Sequence, residues 1–343
     1  MSAPYRILQI GYGAFGETHL RAWSRLVPVD RLIVADPRPV ARAAAMAAVP
    51  GIAGVADWQA MLSQVDAVDV LTPTDTHQDV AGAAIDAGKH VFIEKPMTTT
   101  AVEAEDLLAR ATRRGVLVQG GLYFRFHPKA EAAKTMIAAG ALGDLRFLQG
   151  KFAGFKRARG DSGALLNDAV HFIDLFAWLV GAMPDSVHAV TRDHFGRGFE
   201  DLALVTMQWT SGVVAHVETG YVQPGRWPDT VVPGAITSKE IQVSGSAGAL
   251  EIDFAAETMV HHRVRHALDD GLWRPVFDGS LAMDAPAADP TTVVAREFGH
   301  FLDCIATGRA PIAGLAECGV GLGRVLDAAR RSSVNGTVEQ VAP

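Results

Sequence analysis

Residues 87–96 read Ala-Gly-Lys-His-Val-Phe-Ile-Glu-Lys-Pro, and this stretch decides the fold of the first third of the chain. Gly88 is typical of a helix C-terminus, and the apolar run His90–Ile93 predicts a buried strand. Pro96 ends that strand because proline has no N–H for the ladder. Lys95 is therefore expected at the carboxyl end of an inner strand, the edge where open parallel α/β sheets bind ligands. The alternative is an ordinary solvated lysine in a loop.

The composition narrows the class of protein. The chain has 343 residues, of which 49% are hydrophobic and 20% are charged, and this predicts two domains with sizeable cores. A net charge of −7 argues against a nucleic-acid or membrane partner. Cys304 and Cys318 lack metal-type spacing and fit a reducing compartment. With no signal peptide and no membrane-spanning run in the sequence, we expect a cytoplasmic protein.

A glycine-rich motif follows the first predicted strand, Arg6–Ile10. It reads Gly11-Tyr12-Gly13-Ala14-Phe15-Gly16 and opens a helix. In this strand–turn–helix context the glycines let the backbone approach a pyrophosphate, which the helix N-terminus then holds. Asp36 ends the second strand, where an acidic side chain accepts hydrogen bonds from the ribose hydroxyls and repels a 2′-phosphate. The alternative is that Asp36 only opens the next turn. Arg38 is able to pair with a 2′-phosphate, so NADP stays an alternative to the predicted NAD.

Strands and helices alternate up to residue 121. Six predicted strands separated by helices indicate a doubly wound parallel sheet. We therefore expect a dinucleotide-binding domain over residues 1–121 and a substrate-binding and oligomerisation domain over 122–343. Thr72 and Pro73 begin the loop after the fourth strand. His77 lies at the next helix start, either beside the cofactor or as an ordinary surface histidine.

Together these residues resemble the Gfo/Idh/MocA (glucose–fructose oxidoreductase/inositol dehydrogenase) family. The resemblance rests on the glycines at 11, 13 and 16, Asp36, Thr72-Pro73 with His77, residues 87–96, Arg125-Phe126-His127-Pro128 and residues 163–181. It implies a Rossmann domain followed by an α/β domain with a large, mostly antiparallel sheet. It also implies that Lys95 is an acid–base residue beside the nicotinamide, that Glu94 lies near the cofactor, and that the C-terminal sheet joins a homodimer or homotetramer.

A second informative stretch, residues 163–181, predicts a core-facing helix. Asn167 and His171 are four residues apart and share a helical face. The field of the helix N-terminus favours a neutral His171 that accepts a proton; the alternative is an ordinary half-buried histidine. The family pattern has Asp-x-x-x-His here, whereas this chain has Asn167 and carries its aspartate at Asp168, about 100° round an α-helix. Because an amide cannot take a proton, Lys95 and His171 are left to do so.

Weaker candidates for substrate contacts lie around these two stretches. They are Tyr123, Arg125, Asn167, Asp168 and Arg157. The basic run Lys156-Arg157-Ala158-Arg159 is either a solvated loop end or a grip on an acidic substrate group. Alternating runs after residue 186 predict an antiparallel sheet, whereas residues 268–290 predict a loop rich in Pro, Gly and Asp. His261 and His262 point to opposite faces of a strand, so we expect no metal site.

The leading hypothesis for function is an NAD(P)-dependent oxidoreductase. It would move a hydride between nicotinamide and a hydroxyl or keto carbon of a sugar, cyclitol or related polyol, with Lys95 handling the proton. One alternative is a glycosidase that oxidises its substrate transiently and recycles bound NAD. Another is a non-catalytic, cofactor-binding regulator. The sequence does not distinguish one sugar or cyclitol from another.

Overall fold

The computed structural model describes residues 5–158 and 160–342, which fold into two compact units. The first comprises the described residues up to Phe126 together with Asp289–Gly323; the second comprises His127–Ala288 and the described residues from Arg324 onward. We predicted a single boundary after residue 121, but the chain returns to the first unit near its end. The helical pattern of that returning segment does not reveal which sheet it covers.

The first unit is built on a six-stranded parallel sheet. Its strands are β1 (Ile7–Ile10), β2 (Leu32–Ala35), β3 (Ala53–Val55), β4 (Ala67–Val70), β5 (His90–Glu94) and β6 (Val118–Gly121). Their order is β3-β2-β1-β4-β5-β6, and every pair is parallel. This doubly wound Rossmann order confirms the predicted fold and makes β5 an inner strand. The order reverses between β1 and β4, which is where such sheets bind dinucleotides.

Eight α-helices are assigned within the described residues. They are α1 (Gly16–Trp23), α2 (Pro39–Ala48), α3 (His77–Asp86), α4 (Ala101–Arg114), α5 (Pro128–Ala138), α6 (Val170–Val180), α7 (Pro290–Thr307) and α8 (Leu322–Asn335). Between β3 and β4, where the alternation of strands and helices predicts a helix, the chain forms only a short 3-10 helix, Gln59–Gln64. Helix α7 packs in the first unit, where Phe298 stacks on Trp23 of α1 at 3.8 Å between ring centroids. Phe92 of β5 meets Phe298 edge-on at 4.9 Å, so this core supports the strand that ends at Lys95.

The second unit is built on a large sheet of ten strands. They are β7 (Leu145–Phe155), β8 (Ser186–Arg192), β9 (Leu202–Gln208), β10 (Val214–Gly220), β11 (Trp227–Pro228), β12 (Ile236–Gly245), β13 (Ala249–Asp253), β14 (Thr258–Asp269), β15 (Leu272–Asp284) and β16 (Glu339–Gln340). Its main path runs β15-β14-β13-β12-β7-β10-β9-β8-β16, and β11 pairs with β12. Among the described strands of this sheet, only β7 and β10 pair in parallel, so the predicted, mostly antiparallel sheet is confirmed.

One prediction for this unit is wrong. Most of residues 268–290 is not a loop, because β14 and β15 form a long hairpin across it. The reversal lies at Asp270 and Gly271, both at positive φ (47° and 73°). An Asp-Gly pair is favoured in a two-residue hairpin turn because both positions need positive φ. We read the Pro, Gly and Asp content as loop, whereas the Asp-Gly pair was the hairpin signal.

Candidate active site

The glycine motif forms a cradle at the start of α1. Gly11 has φ of 101°, and a Cβ there would lie 2.7 Å from the Leu71 carbonyl oxygen, so the turn requires glycine. A Cβ on Gly13 would meet nothing within 4 Å, so the protein itself does not demand glycine there. Phe15 at the N-cap provides no side-chain acceptor for the first helical N–H groups. Open space beside an uncapped helix N-terminus fits a pyrophosphate.

Asp36 fixes this cradle from the end of β2. Its carboxylate accepts the Tyr12 backbone N–H at 3.0 Å and the Arg38 guanidinium at 2.9 and 3.0 Å. Hydrogen bonds from Arg38 outweigh the effect of burial and lower the pKa of Asp36 to about 2. The Arg38 backbone N–H also donates to Asp36, so the carboxylate both caps the turn and faces the cradle. The two interpretations of Asp36 are therefore compatible.

The loop after β4 is braced by His77, which is buried and is therefore not the ordinary surface histidine of the alternative interpretation. The His77 ring is 1% exposed and lies within 2.9 Å of two backbone carbonyl oxygens, those of Thr72 and Pro96. Both ring nitrogens thus contact backbone carbonyl oxygens, and a contact of this imidazole with the cofactor stays a prediction. The His77 ring ties the Thr72-Pro73 loop to the segment that follows Lys95. In the sequence, a histidine at a helix start looks the same whether it braces two loops or contacts a cofactor. Both kinds of histidine lie next to the edge of the sheet.

Glu94 and Lys95 lie at the carboxyl end of β5, as predicted, and Glu94 joins a buried network that the sequence reading missed. Glu94 Oε1 lies 3.1 Å from His19 Nε2, and Glu94 Oε2 accepts the Lys95 backbone N–H at 2.9 Å. His19 Nδ1 lies 3.0 Å from Asp69 Oδ2, which also accepts the Trp23 indole N–H at 2.8 Å.

The network is charged and largely buried. His19 and Asp69 are both 0% exposed. Burial alone would lower the pKa of His19, but the charge and hydrogen bond of Asp69, together with Glu94, raise it to about 10. Burial alone would raise the pKa of Glu94, yet the hydrogen bond from His19 lowers it. The raised pKa of His19 and the lowered pKa of Glu94 favour an imidazolium beside the Glu94 carboxylate at neutral pH, although burial raises the pKa of Asp69.

The second unit carries the other predicted site residues, on a helix that begins irregularly. Leu165–Ala169 is a π-helical turn that leads directly into α6, where we predicted α-helix. The π-turn bonds residue i to i+5 and is frequent at functional sites. Asn167 and Asp168 are adjacent on this turn, and Asn167 Nδ2 donates to Asp168 Oδ1 at 3.1 Å, so the two side chains contact each other although an α-helix would place them about 100° apart.

Lys156 completes this cluster. Its Nζ lies 2.7 Å from Asp168 Oδ1, and the two side chains are only 6% and 2% exposed. The ammonium also lies over the rings of Phe152 and Tyr221, 4.7 and 5.4 Å from their centroids. Asn167 Nδ2 donates to the Tyr221 hydroxyl at 3.2 Å. Lys156 is thus buried, neither a solvated loop end nor a free grip on an anion.

The remaining predicted site residues differ in their burial and contacts. His171 is half-buried on α6, with its ring 5.3 Å from that of Phe152, so it borders the Lys156 cluster. Arg125 is 1% exposed and donates to Glu317 at 2.8 Å and to the Ile312 carbonyl at 2.6 Å, so it supports the first unit, and its predicted substrate contact stays a prediction. Tyr123 is half-buried and Arg157 is exposed. Arg159 lies outside the described residues.

Within residues 5–158 and 160–342, no group of three or more His, Cys, Asp or Glu side chains is arranged to hold a metal ion. No helix in the same part of the chain combines the length and apolar character that crossing a membrane requires. A cytoplasmic location stays a prediction from the sequence.

The doubly wound sheet, the glycine cradle and Asp36 define an NAD-binding Rossmann protein. Residues 5–122 match the model of an oxidoreductase family with an NAD-binding Rossmann fold, and residues 130–251 match the Gfo/Idh/MocA C-terminal domain. The chain belongs to the Gfo/Idh/MocA family, as its sequence motifs predicted.

Two curated relatives and one solved structure illustrate the similarity. A 2,7-anhydro-N-acetylneuraminate hydratase of Escherichia coli is 27% identical, covering 65% of this chain and 64% of the relative. A UDP-N-acetylglucosamine 3-dehydrogenase of Acidithiobacillus ferrooxidans is 32% identical, and the match covers 63% of this chain and 68% of the relative. The chain thus spans about two thirds of the length of these relatives. A levoglucosan dehydrogenase in complex with NADH and levoglucosan shares the fold, with a TM-score of 0.83 and 21% identity over 99% of this chain and 100% of that one.

Proposed function

We propose that the protein is an NAD-dependent dehydrogenase acting on a hydroxyl or keto carbon of a sugar, cyclitol or related polyol. The observation that carries the proposal is Lys95, at the end of an inner Rossmann strand, with its backbone N–H held by Glu94. Bound NAD supplies the hydride acceptor. The Lys95 amine takes the hydroxyl proton during oxidation and returns it during reduction.

The second unit supports this proposal through the chemistry of its side chains. His171 can accept a proton or a hydroxyl hydrogen bond, and Asn167 and Tyr221 carry groups that both donate and accept. Such groups suit a polyol, whose hydroxyls need partners of both kinds. The proposed roles are proton transfer for Lys95, hydroxyl binding or proton relay for His171, and substrate orientation for Asn167.

The test is the absorbance of reduced nicotinamide. Purified protein is mixed with NAD or NADP and screened against sugars, cyclitols, polyols and their acids, and ketones are tried with NADH. A signal confined to one stereochemical series supports the proposal and identifies the substrate class. If no compound reacts although fluorescence shows that the cofactor binds, the dehydrogenase proposal fails.

A second candidate is an enzyme that oxidises its substrate only transiently and returns the hydride within the same turnover. The E. coli relative named as a hydratase favours it, since its name does not describe a net redox reaction. Lys95 and His171 would serve as the acid and base for that chemistry too. The discriminating measurement is product release without net formation of NADH.

Asp36 predicts a preference for NAD. Replacing Asp36 with Ala should raise the affinity for NADP relative to NAD by about tenfold or more, because the carboxylate that repels a 2′-phosphate is lost and Arg38 is released to bind it. Fluorescence titration with both cofactors measures the change. The matched control is the Asp36→Ala/Arg38→Ala double variant, in which the gain for NADP should disappear. Tighter binding of NADP to the unaltered protein would contradict the assignment.

We also propose that the C-terminal sheet joins a homodimer or homotetramer. The edge strand β15 exposes Leu272, Trp273, Phe277 and Leu281, each by 56% or more. A long edge strand with apolar side chains readily pairs with another chain. Light scattering should find a dimer or tetramer, and Trp273→Lys combined with Leu281→Lys should shift it towards monomer. Val102→Lys, at a 72% exposed site on α4, is the control; a monomeric wild type would refute the proposal.

A further inference from the structure

We propose that His19 is a positioning residue for Lys95 and acts through the carboxylate of Glu94. The inference rests on the proposed role of Lys95. Glu94 divides its two oxygens, since Oε1 meets His19 Nε2 at 3.1 Å and Oε2 accepts the Lys95 backbone N–H at 2.9 Å. One side chain therefore connects the buried imidazole to the backbone of the lysine.

The other side of the ring fixes the state of His19. Its Nδ1 lies 3.0 Å from Asp69 Oδ2, so both ring nitrogens face carboxylate oxygens, which only accept hydrogen bonds when ionised. Both nitrogens must then carry hydrogen, and His19 is an imidazolium. The Trp23 indole N–H holds Asp69 Oδ2 from the far side at 2.8 Å. The Asp69 and Glu94 carboxylates thus hold the ring in one orientation.

The surroundings leave these groups no room to reorient. The rings of Phe15, Phe92 and Phe298 meet the His19 ring edge-on at centroid distances of 5.0, 6.0 and 5.1 Å. A Cβ on Gly121 would lie 2.7 Å from Glu94 Oε1, so glycine at that position makes space for the carboxylate. Because the His19 side chain is 0% exposed and that of Glu94 is 14% exposed, charge interactions inside the cluster are stronger than at the surface.

The placement of His19 links two parts of the candidate site. It lies in α1, the helix whose N-terminus forms the glycine cradle, and it holds Glu94 at the end of β5. The charged groups around Glu94 are the His19 imidazolium, the Asp69 carboxylate behind it and the Lys95 amine on the next residue, while α7 contributes the Phe298 ring. The imidazolium offsets the negative charge of Glu94, so it sets both the orientation and the electrostatic environment of Lys95.

The test measures the Lys95 amine directly in the full-length protein. The rate at which acetic anhydride labels Lys95 is followed across pH by peptide mass spectrometry, which needs no substrate. His19→Gln keeps a donor near Glu94 but loses the charge, and it should raise the pKa of the amine by about one, because two buried carboxylates are no longer offset. Glu94→Gln removes a carboxylate and should shift the amine pKa the opposite way. Because the two variants should shift the pKa of the Lys95 amine in opposite directions, either variant alone tests the proposal if the other folds poorly.

The pH profile of kcat and the Tm together distinguish a positioning role of His19 from a purely structural one. If the enzyme oxidises a polyol, the acidic limb of its kcat profile should move to higher pH in His19→Gln, since oxidation requires the neutral amine, while NAD affinity changes less than about threefold. Trp23→Phe is the control that perturbs the same core without removing a charge. An unchanged labelling profile in both His19→Gln and Glu94→Gln, with only a lower Tm, would overturn the inference. If no polyol reacts but the labelling shifts appear, the proposed function fails and the coupling stands.

Discussion

Replacing Lys95 with Ala is expected to lower kcat by about a thousandfold while leaving the affinity for NAD nearly unchanged. A positioned acid–base group contributes about 10²- to 10⁴-fold, because without it the hydroxyl proton must leave to water while the hydride departs. The pyrophosphate cradle is formed by backbone N–H groups at Gly11–Gly16 and does not include the Lys95 side chain. The measurement is steady-state turnover with a substrate from the screen, combined with a fluorescence titration of NAD.

The sequence offers a matched control six residues away. Lys89 belongs to the same stretch but precedes β5, at the opposite end of the strand from Lys95. Lys89→Ala should therefore keep wild-type turnover. Small primary amines added to Lys95→Ala should restore part of the rate if the missing group is a proton acceptor. Turnover of Lys95→Ala at the wild-type rate would refute the acid–base role.

Lys95 was predictable from sequence because its placement depends on neighbouring residues only. A helix-ending glycine, four strand residues and a proline define where the strand stops, and the alternation of strands and helices defines which edge that is. The glycine cradle was predictable for the same reason. These features needed no knowledge of distant contacts.

His19 and Asp69 were not found because they are 50 residues apart. A signal existed in Asp69, which interrupts the otherwise apolar strand Ala67–Val70 and is fully buried. A buried carboxylate needs a partner of opposite charge or several donors. The sequence thus indicated that a partner exists, but only the fold identifies His19.

The sequence also did not predict the π-turn at Leu165–Ala169. Its pattern of apolar residues fits α-helix, and the insertion of one wider turn changes which side chains meet without changing that pattern. The burial of Lys156 was missed for a related reason. A run of basic residues normally remains solvated, and only the strand β7 and the turn together place one of them against Asp168.

Removing the charge of Lys156 should destabilise the protein by about 3–5 kcal/mol, the usual cost of leaving a buried partner charge uncompensated. Lys156→Met keeps an apolar stem over Phe152 and Tyr221 but leaves Asp168 without its cation. Asp168 Oδ2 is buried and finds no hydrogen-bond partner among the residues described, so the carboxylate depends on the contacts of Oδ1. Urea unfolding measures the loss. Lys151→Met is the control, because Lys151 on β7, the strand that precedes Lys156, pairs with Glu218 at 3.6 Å with both side chains about 30% exposed, and it should cost less than about 1 kcal/mol.

A second substitution identifies the charge as the cause of the loss. The double variant Lys156→Met/Asp168→Asn should recover most of the stability at neutral pH, because neither charge remains to be desolvated. Equal small losses for Lys156→Met and Lys151→Met would contradict a buried pair. Since Asp168 Oδ1 also accepts from Asn167 Nδ2, a recovered stability with impaired substrate binding would show that the pair holds the Asn167 amide in its orientation.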